Sequence, residues 1–263
     1  MALVTLTTDF GTTDPFVGIM KGVLATRAPG VGVIDVTHGI PAQDVRAGAL
    51  VLRQSAPWFP PGTIHVAVVD PGVGGARRPI CVATARACYV GPDNGVLSLA
   101  AEAEGIRAVV VLEDPLFQLA PRSATFHGRD VFAPVAAALA TGTAPEQLGP
   151  PVKDMTRLDF PESKRTGDVL RGEVVYVDHF GNLVTNVSRK DLDGFSGASL
   201  SVTIRATHVR GVATSYSSAQ PGQMVALVNS WELLEVAVRD GSARERLRAS
   251  VGEPVIVRTD PNG

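Results

Sequence analysis

Up to Thr141 short β-branched runs alternate with segments of helical period, and beyond Thr141 the helical period gives way to short alternating runs separated by turns. The first pattern predicts an α/β domain, a sheet with helices on its faces, and the second predicts a smaller all-β barrel or sandwich. In the first half strands are expected at residues 3–7, 31–36, 63–69, 80–84, 87–90 and 108–112, with helices at 15–25, 42–55, 95–104 and 129–140. In the first helix Phe16, Ile19, Met20, Val23 and Leu24 form one apolar stripe, with Asp14 as N-cap and Pro15 as first helical residue. Residues 143–164 carry Pro145, Pro150, Pro151 and Pro161 among charges and follow neither period. The boundaries expected are therefore an α/β domain over 1–142, a linker over 143–170 and an all-β domain over 171–263, with strands at 172–177, 183–187, 200–204, 224–229, 234–238 and 254–257.

Which partners suit such a chain is decided by charge and hydropathy. The formal net charge is -2, and there is no long Lys/Arg block. Neither nucleic acid nor an anionic membrane surface finds an electrostatic footprint there. No apolar run reaches the roughly 18 residues that a membrane span needs, and Met1 to Thr5 lead into a strand without a basic leader. A cytoplasmic protein with a small-molecule ligand is expected. Cys81 and Cys88, the only cysteines, sit in apolar stretches without zinc-ligand spacing and read as buried free thiols, so no metal site is expected.

In open α/β sheets ligands bind beyond the carboxyl ends of the strands, so acidic residues placed there draw notice. Asp9 follows the first strand, in Thr8-Asp9-Phe10-Gly11-Thr12-Thr13-Asp14, and its two oxygens suit a sugar diol; a plain turn is the competing reading. Asp70 follows the third, in Asp70-Pro71-Gly72-Val73-Gly74-Gly75-Ala76-Arg77-Arg78. That stretch lacks both the Rossmann third glycine and the P-loop ending. His127 sits in Phe126-His127-Gly128-Arg129-Asp130, and an Asp, an Arg and a His meeting at one sheet edge could orient a water. In the β domain Asp178-His179-Phe180-Gly181-Asn182 and Asn229-Ser230-Trp231-Glu232 offer donors, acceptors and aromatic faces for a nucleobase, or serve only as hairpin turns.

Together with Asp35-Val36-Thr37-His38 and Pro92-Asp93-Asn94-Gly95, these ordered segments resemble the S-adenosylmethionine hydroxide adenosyltransferases, relatives of the bacterial fluorinase and chlorinase. The resemblance covers nearly the whole chain. It implies cleavage of S-adenosylmethionine (SAM) at C5′ by water or hydroxide, giving adenosine and methionine, with no cofactor. It also implies roles: Asp70, Arg77 and His127 hold the nucleophile, and Asp9 grips the ribose. Asp14, Asp178 and Ser230 would hold the methionine end, Phe180 and Asn182 the adenosine, while Phe126 and Tyr216 form walls. A homotrimer is implied too, each site lying between the N-terminal domain of one subunit and the C-terminal domain of the next.

The departures from the pattern favour water over halide. His127 stands where the fluorinase has Tyr, and the short stretch from Cys81 to Tyr89 has no room for the fluorinase's inserted loop. Arg239-Asp240 stands where relatives often carry an Asn-containing adenine contact, which leaves base recognition at that turn open, and Trp231 replaces the small or Arg residue that often follows the Ser. The alternatives are a non-catalytic SAM or adenosine binder, a 5′-halo-5′-deoxyadenosine synthase, and a metal-dependent hydrolase using Asp9, Asp70 and His127.

Overall fold

The computed structural model describes residues 2–195 and 199–260, in two compact units, residues 1–159 and 160–263. Met1 of the predicted 1–142 domain, and residues 196–198 and 261–263 of the predicted 171–263 domain, lie outside the described residues.

In the first unit the chain runs β1 (Leu3–Thr8), α1 (Phe16–Arg27), β2 (Gly32–Thr37), α2 (Val45–Ser55), β3 (Thr63–Val68), β4 (Pro79–Thr84), β5 (Ala87–Pro92), α3 (Ser98–Glu104), β6 (Ile106–Val111) and α4 (Ala133–Ala140). The strands form one sheet ordered β2-β1-β3-β5-β4-β6. Pairing is parallel from β2 through β5 and antiparallel where β4 meets β5 and β6. Every residue of β3 is buried, as expected of a central strand covered on both faces. The strand order reverses between β1 and β3, and such a switch point opens a crevice at the carboxyl edge.

All four predicted helices begin later than the sequence reading places them, α3 at Ser98 instead of Gly95. Asp14 does not cap α1: Pro15 occupies the N-cap position without a side-chain bond, so helical geometry begins one residue late. The face of α1 that goes inward is Val17, Met20 and Leu24, while Phe16 and Ile19 remain exposed. The stripe was thus rotated by part of a turn, because Phe16 is drawn to an aromatic cluster at the crevice. Asp44 accepts the Ala47 N–H at 2.9 Å and starts α2 three residues after the expected point. Ahead of α4, Gly128–Phe132 form a π turn, a wider local winding often found at functional sites.

Residues 143–170, expected as a linker, are shared between the units. Leu148 is buried in the first core, and the Val152 N–H bonds the Val109 carbonyl at 2.9 Å alongside β6. The second unit begins with β7 (Lys164–Thr166) and β8 (Val169–Val177), followed by β9 (Leu183–Ser188), α5 (Arg189–Asp193), β10 (Leu200–Ile204), β11 (Thr207–Arg210), β12 (Met224–Val228), β13 (Leu233–Val238), α6 (Ala243–Leu247) and β14 (Pro254–Thr259). Its antiparallel order β11-β10-β14-β8-β9-β13-β12, with β7 against β8, makes a nearly closed barrel around Leu170, Val174, Leu183, Val202, Leu234 and Val257. Cys81 is buried, Cys88 is half-buried, and both are free thiols. Among the described residues no helix is long and apolar enough to cross a membrane.

One buried group of the first core makes stability depend on acid. His65 on β3 is 1 % exposed, bonds Thr5 Oγ1 through Nδ1 at 2.8 Å and stacks on Tyr89. Burial lowers its pKa to about 4. The unfolded chain therefore takes up this proton first, so stability is full above the ordinary histidine value near 6.5 and drains away as pH falls toward 4, by about 3 kcal/mol in total. His65→Gln, which keeps a hydrogen-bonding side chain without the titrating ring, is expected to flatten that slope in denaturant unfolding. Equal slopes in the two proteins would contradict the assignment.

Candidate active site

At the carboxyl edge where β1 and β3 diverge lies a cavity of about 390 Å³ lined by Asp9, Phe10, Phe16, Gln43, Asp70, Val73, Phe126 and His127, among others. Asp9 and Asp70 reach it because Asp9 directly follows β1 and Asp70 comes two residues after β3, the parallel strands at the switch point. Behind it Arg77 ties two of the loops together. Its Nε donates to Asp70 Oδ1 at 2.9 Å, its Nη2 donates to Asp70 Oδ2, and the same Nη2 donates to His127 Nδ1 at 2.7 Å. The Asp70 side chain is 5 % exposed and His127 3 %, so this carboxylate, guanidinium and imidazole form a nearly dry chain.

Local backbone chemistry makes that meeting achievable. Gly74 has φ +76°, and a Cβ there would stand 2.2 Å from the Ala124 carbonyl oxygen, so only glycine lets the Asp70 loop dock against the loop bearing His127. On the other side, buried Asp130 accepts the Ser123 N–H at 2.8 Å and the Arg129 Nε at 2.6 Å, folding residues 123–130 into a fixed turn. Burial works to raise the Asp130 carboxyl, but these donors outweigh it and hold the group below the usual carboxylate range. Phe10, Phe16 and Phe126 pack edge to face, with centroids 5.2 to 6.1 Å apart, and wall the cavity. Asp9 Oδ2 accepts the Gln43 N–H at 2.8 Å, which joins the turn after β1 to the entry of α2.

The protonation state of His127 follows from its partners. A guanidinium has donors only, so Nδ1 must be the acceptor, and the neutral ring carries its proton on Nε2. Burial and the Arg77 charge both push the imidazole below its ordinary pKa, against smaller opposing pulls from Asp70 and Asp130. His127 in this state is a hydrogen-bond donor through Nε2.

Of the other residues expected from the sequence, Asp14 is exposed and stands outside this cavity's lining. In the second unit Asp178, Tyr216 and Ser230 line a separate cavity of about 430 Å³, together with Asn229, Trp231 and Glu235. Phe180 and Asn182 do not line it. Asp178 Oδ1 accepts the Phe180 and Asn182 N–H groups at 2.9 and 2.8 Å, and Asn182 Nδ2 donates to Asp178 Oδ2 at 2.8 Å. That turn buries Asn182 and leaves Phe180 71 % exposed. Glu235 was missed by sequence reasoning. It is 2 % exposed and accepts Tyr216 Oη at 2.7 Å and Asn229 Nδ2 at 2.9 Å. Its signal was an acid inside the otherwise apolar run Leu233–Val238. Among the described residues no group of three or more His, Cys, Asp or Glu side chains comes together as a potential metal site.

The chain is similar to known proteins over most of its length. Residues 4–149 match the family model for the SAM hydroxide adenosyltransferase N-terminal domain, and residues 172–256 match that for its C-terminal domain. The (R)-S-adenosyl-L-methionine hydrolase of Thermus thermophilus is 45 % identical over 94 % of this chain and 96 % of its own length. A more distant relative, the fluorinase of Actinoplanes sp. strain N902-109, is 30 % identical over 73 % of each chain. Among solved structures, that of an uncharacterized conserved protein from Thermotoga maritima superposes with a TM-score of 0.91 at 31 % identity, covering 98 % of this chain and 100 % of the other.

Proposed function

The chain belongs to the SAM hydroxide adenosyltransferase family, and from that premise we propose that it hydrolyses S-adenosyl-L-methionine to adenosine and L-methionine, with water attacking C5′ in line with the departing sulfur. The observation that carries this reading is the Asp70–Arg77–His127 chain at the edge of a cavity that also holds the Asp9 carboxylate.

The sulfonium leaves as a neutral thioether, so that end of the reaction calls for neither acid nor cofactor. The nucleophile is the harder half. Turning water into free hydroxide at pH 7 spans about 9 pK units, on the order of 12 kcal/mol. A single guanidinium at roughly 4 Å supplies about 4 kcal/mol at an effective dielectric near 20, and Asp70 already offsets part of the Arg77 charge. A standing hydroxide is therefore poorly supported. Because Nδ1 of His127 is engaged by Arg77, the ring orients the water as a donor through Nε2–H, and proton acceptance at Nδ1 would require the Arg77 bond to break. Water then attacks as a neutral molecule, and the proton it sheds as the carbon–oxygen bond forms passes to solvent, so that the SAM cation and water give adenosine, methionine and one H⁺. Alignment of O, C5′ and S supplies much of the acceleration.

Asp9 binds the ribose diol and Phe126 the apolar flank. Asp178, Ser230 and Asp14 serve the methionine end. Phe180 and Tyr216 present aromatic faces to the nucleoside, with Asn182 supporting the turn that carries Phe180. A homotrimer in which the β unit of one copy completes the cavity of another accounts for the exposure of Phe180. Two free thiols fit a reducing, cytoplasmic setting.

Incubation with SAM in heavy-oxygen water is expected to give adenosine labelled at its 5′-hydroxyl. Unlabelled adenosine would overturn the attack by water, absence of any adenosine would leave only binding, and 5′-chloro-5′-deoxyadenosine in the presence of chloride would point to halide chemistry.

A further inference from the structure

The turn Pro92-Asp93-Asn94-Gly95 lines neither cavity, yet its bonds go to the two ends of the segment that carries Asp70 and Arg77. Asn94 Nδ2 donates to the Val69 carbonyl at 2.8 Å. Pairing of β3 with β5 ends at Val66 opposite Val90, so the Asn94 side chain extends the support of β3 beyond its ladder, up to the residue before Asp70. At the other end the Asp93 N–H donates to the Arg78 carbonyl at 2.8 Å, and Asp93 Oδ2 accepts Arg78 Nε at 2.9 Å and Nη2 at 2.6 Å. Arg78 is the residue after Arg77.

The grip is itself braced. The Asp93 side chain is 3 % exposed, and its other oxygen accepts the Thr156 N–H at 2.6 Å, while Thr156 Oγ1 donates to the Asp93 carbonyl at 3.0 Å. Arg78 Nη1 reaches Asp154 Oδ1 at 3.2 Å. Within the loop, the Val73 N–H bonds the Asp70 carbonyl and the Gly75 N–H the Gly72 carbonyl, so it is a compact turn whose two stems are held by successive residues of one neighbouring turn.

We propose that Asp93 and Asn94, acting through Arg78 and the Val69 carbonyl, are positioning residues that set the reach of the Arg77 guanidinium between Asp70 and His127. They touch no reacting atom. Slackening either stem lets Arg77 withdraw from His127 Nδ1, and a displacement of about 1 Å at such a group can cost up to roughly 100-fold in turnover. This rests on the reading of the cavity as the site of water attack.

The test uses full-length protein carrying ¹⁵N-labelled histidine, in the variants Asn94→Ala and Arg78→Lys. Arg78→Lys keeps the cation opposite Asp93 but loses the two-pronged contact, and the half-exposed position tolerates it should Asn94→Ala fail to fold. Turnover is expected to fall by about 10- to 100-fold with KM for SAM within about twofold. In the same variants, without substrate, the His127 ring is expected to titrate closer to the ordinary histidine range, because the Arg77 charge that helps depress it has moved away. A change confined to thermal stability would not move that titration. Folded variants with unchanged turnover and unchanged His127 titration overturn the proposal. A wild-type protein that makes no adenosine would overturn the catalytic reading instead, while the titration shift would still report on the grip.

Discussion

With Arg77 replaced by alanine, turnover of SAM is expected to fall about 10²- to 10³-fold, the range found when one electrostatic donor is removed from a reacting centre. Stability is expected to fall too, by about 3–5 kcal/mol, because the substitution strands a carboxylate away from water. The Asp70 side chain is 5 % exposed, and both of its oxygens are bonded to Arg77. The two losses have different origins, and a second substitution separates them. Asp70→Ala combined with Arg77→Ala removes the stranded charge, so unfolding free energy should recover most of what the single variant lost. Turnover should stay low, since nothing in the double variant reaches His127 Nδ1. Arg77→Lys should behave more like alanine than like arginine in turnover, because a single ammonium lacks the rigid fork that spans Asp70 and His127 together. Denaturant unfolding and adenosine release on the same samples decide the matter. A single Arg77→Ala protein as stable as wild type, or a double variant with restored turnover, would sink the account of this ion pair.

The order of elements in the α/β unit was legible because it rests on short-range pattern: a largely apolar, continuously buried β3, half-exposed β2, and turns rich in Gly and Pro between them. Strands β7 and β11 were not legible. Lys164–Thr166 is exposed throughout and Thr207–Arg210 is only four residues long with one buried side chain, Val209, so each is too short and too weakly apolar to stand out from the surrounding turns. The stripe on α1 failed for another reason, since Phe16 satisfies its apolar surface against Phe10 and Phe126 instead of in the core.

For the site, Asp9 and Asp70 could be singled out by their place after a strand, and Arg77 and His127 only as members of nearby loops. What no periodicity records is the docking of those loops. It depends on the positive φ of Gly74 and on the contact of that residue with Ala124, fifty residues away in sequence. Glu235 was hidden in the opposite way, as a strand residue whose importance lies in having Tyr216, ahead of β12, and Asn229, in the β12–β13 turn, as partners.

Asp9 is given two roles, closing a turn and gripping a sugar, and substitution tells them apart. Oδ2 accepts the Gln43 N–H, at a residue with φ +66°, so a turn function is real. Asp9→Asn keeps an oxygen acceptor for that N–H and should fold as the wild type does. It loses the negative charge that two ribose hydroxyls would meet, and hydrogen bonds to a charged group contribute about 1.5–3 kcal/mol each. Loss of one such bond predicts a rise in KM for SAM of about 10- to 100-fold. Asp9→Ala loses both bonds and should exceed about 100-fold, with some loss of stability from the freed Gln43 amide. The assignment to the ribose, rather than to another part of the substrate, is tested with products. Wild type should bind adenosine at least about 100-fold more tightly than 2′,3′-dideoxyadenosine, since the latter leaves the carboxylate desolvated and unpaired. In Asp9→Asn that preference should shrink by an order of magnitude or more. If it persists unchanged while the variant remains folded, the diol is recognised elsewhere, and Asp9 is left with the turn alone.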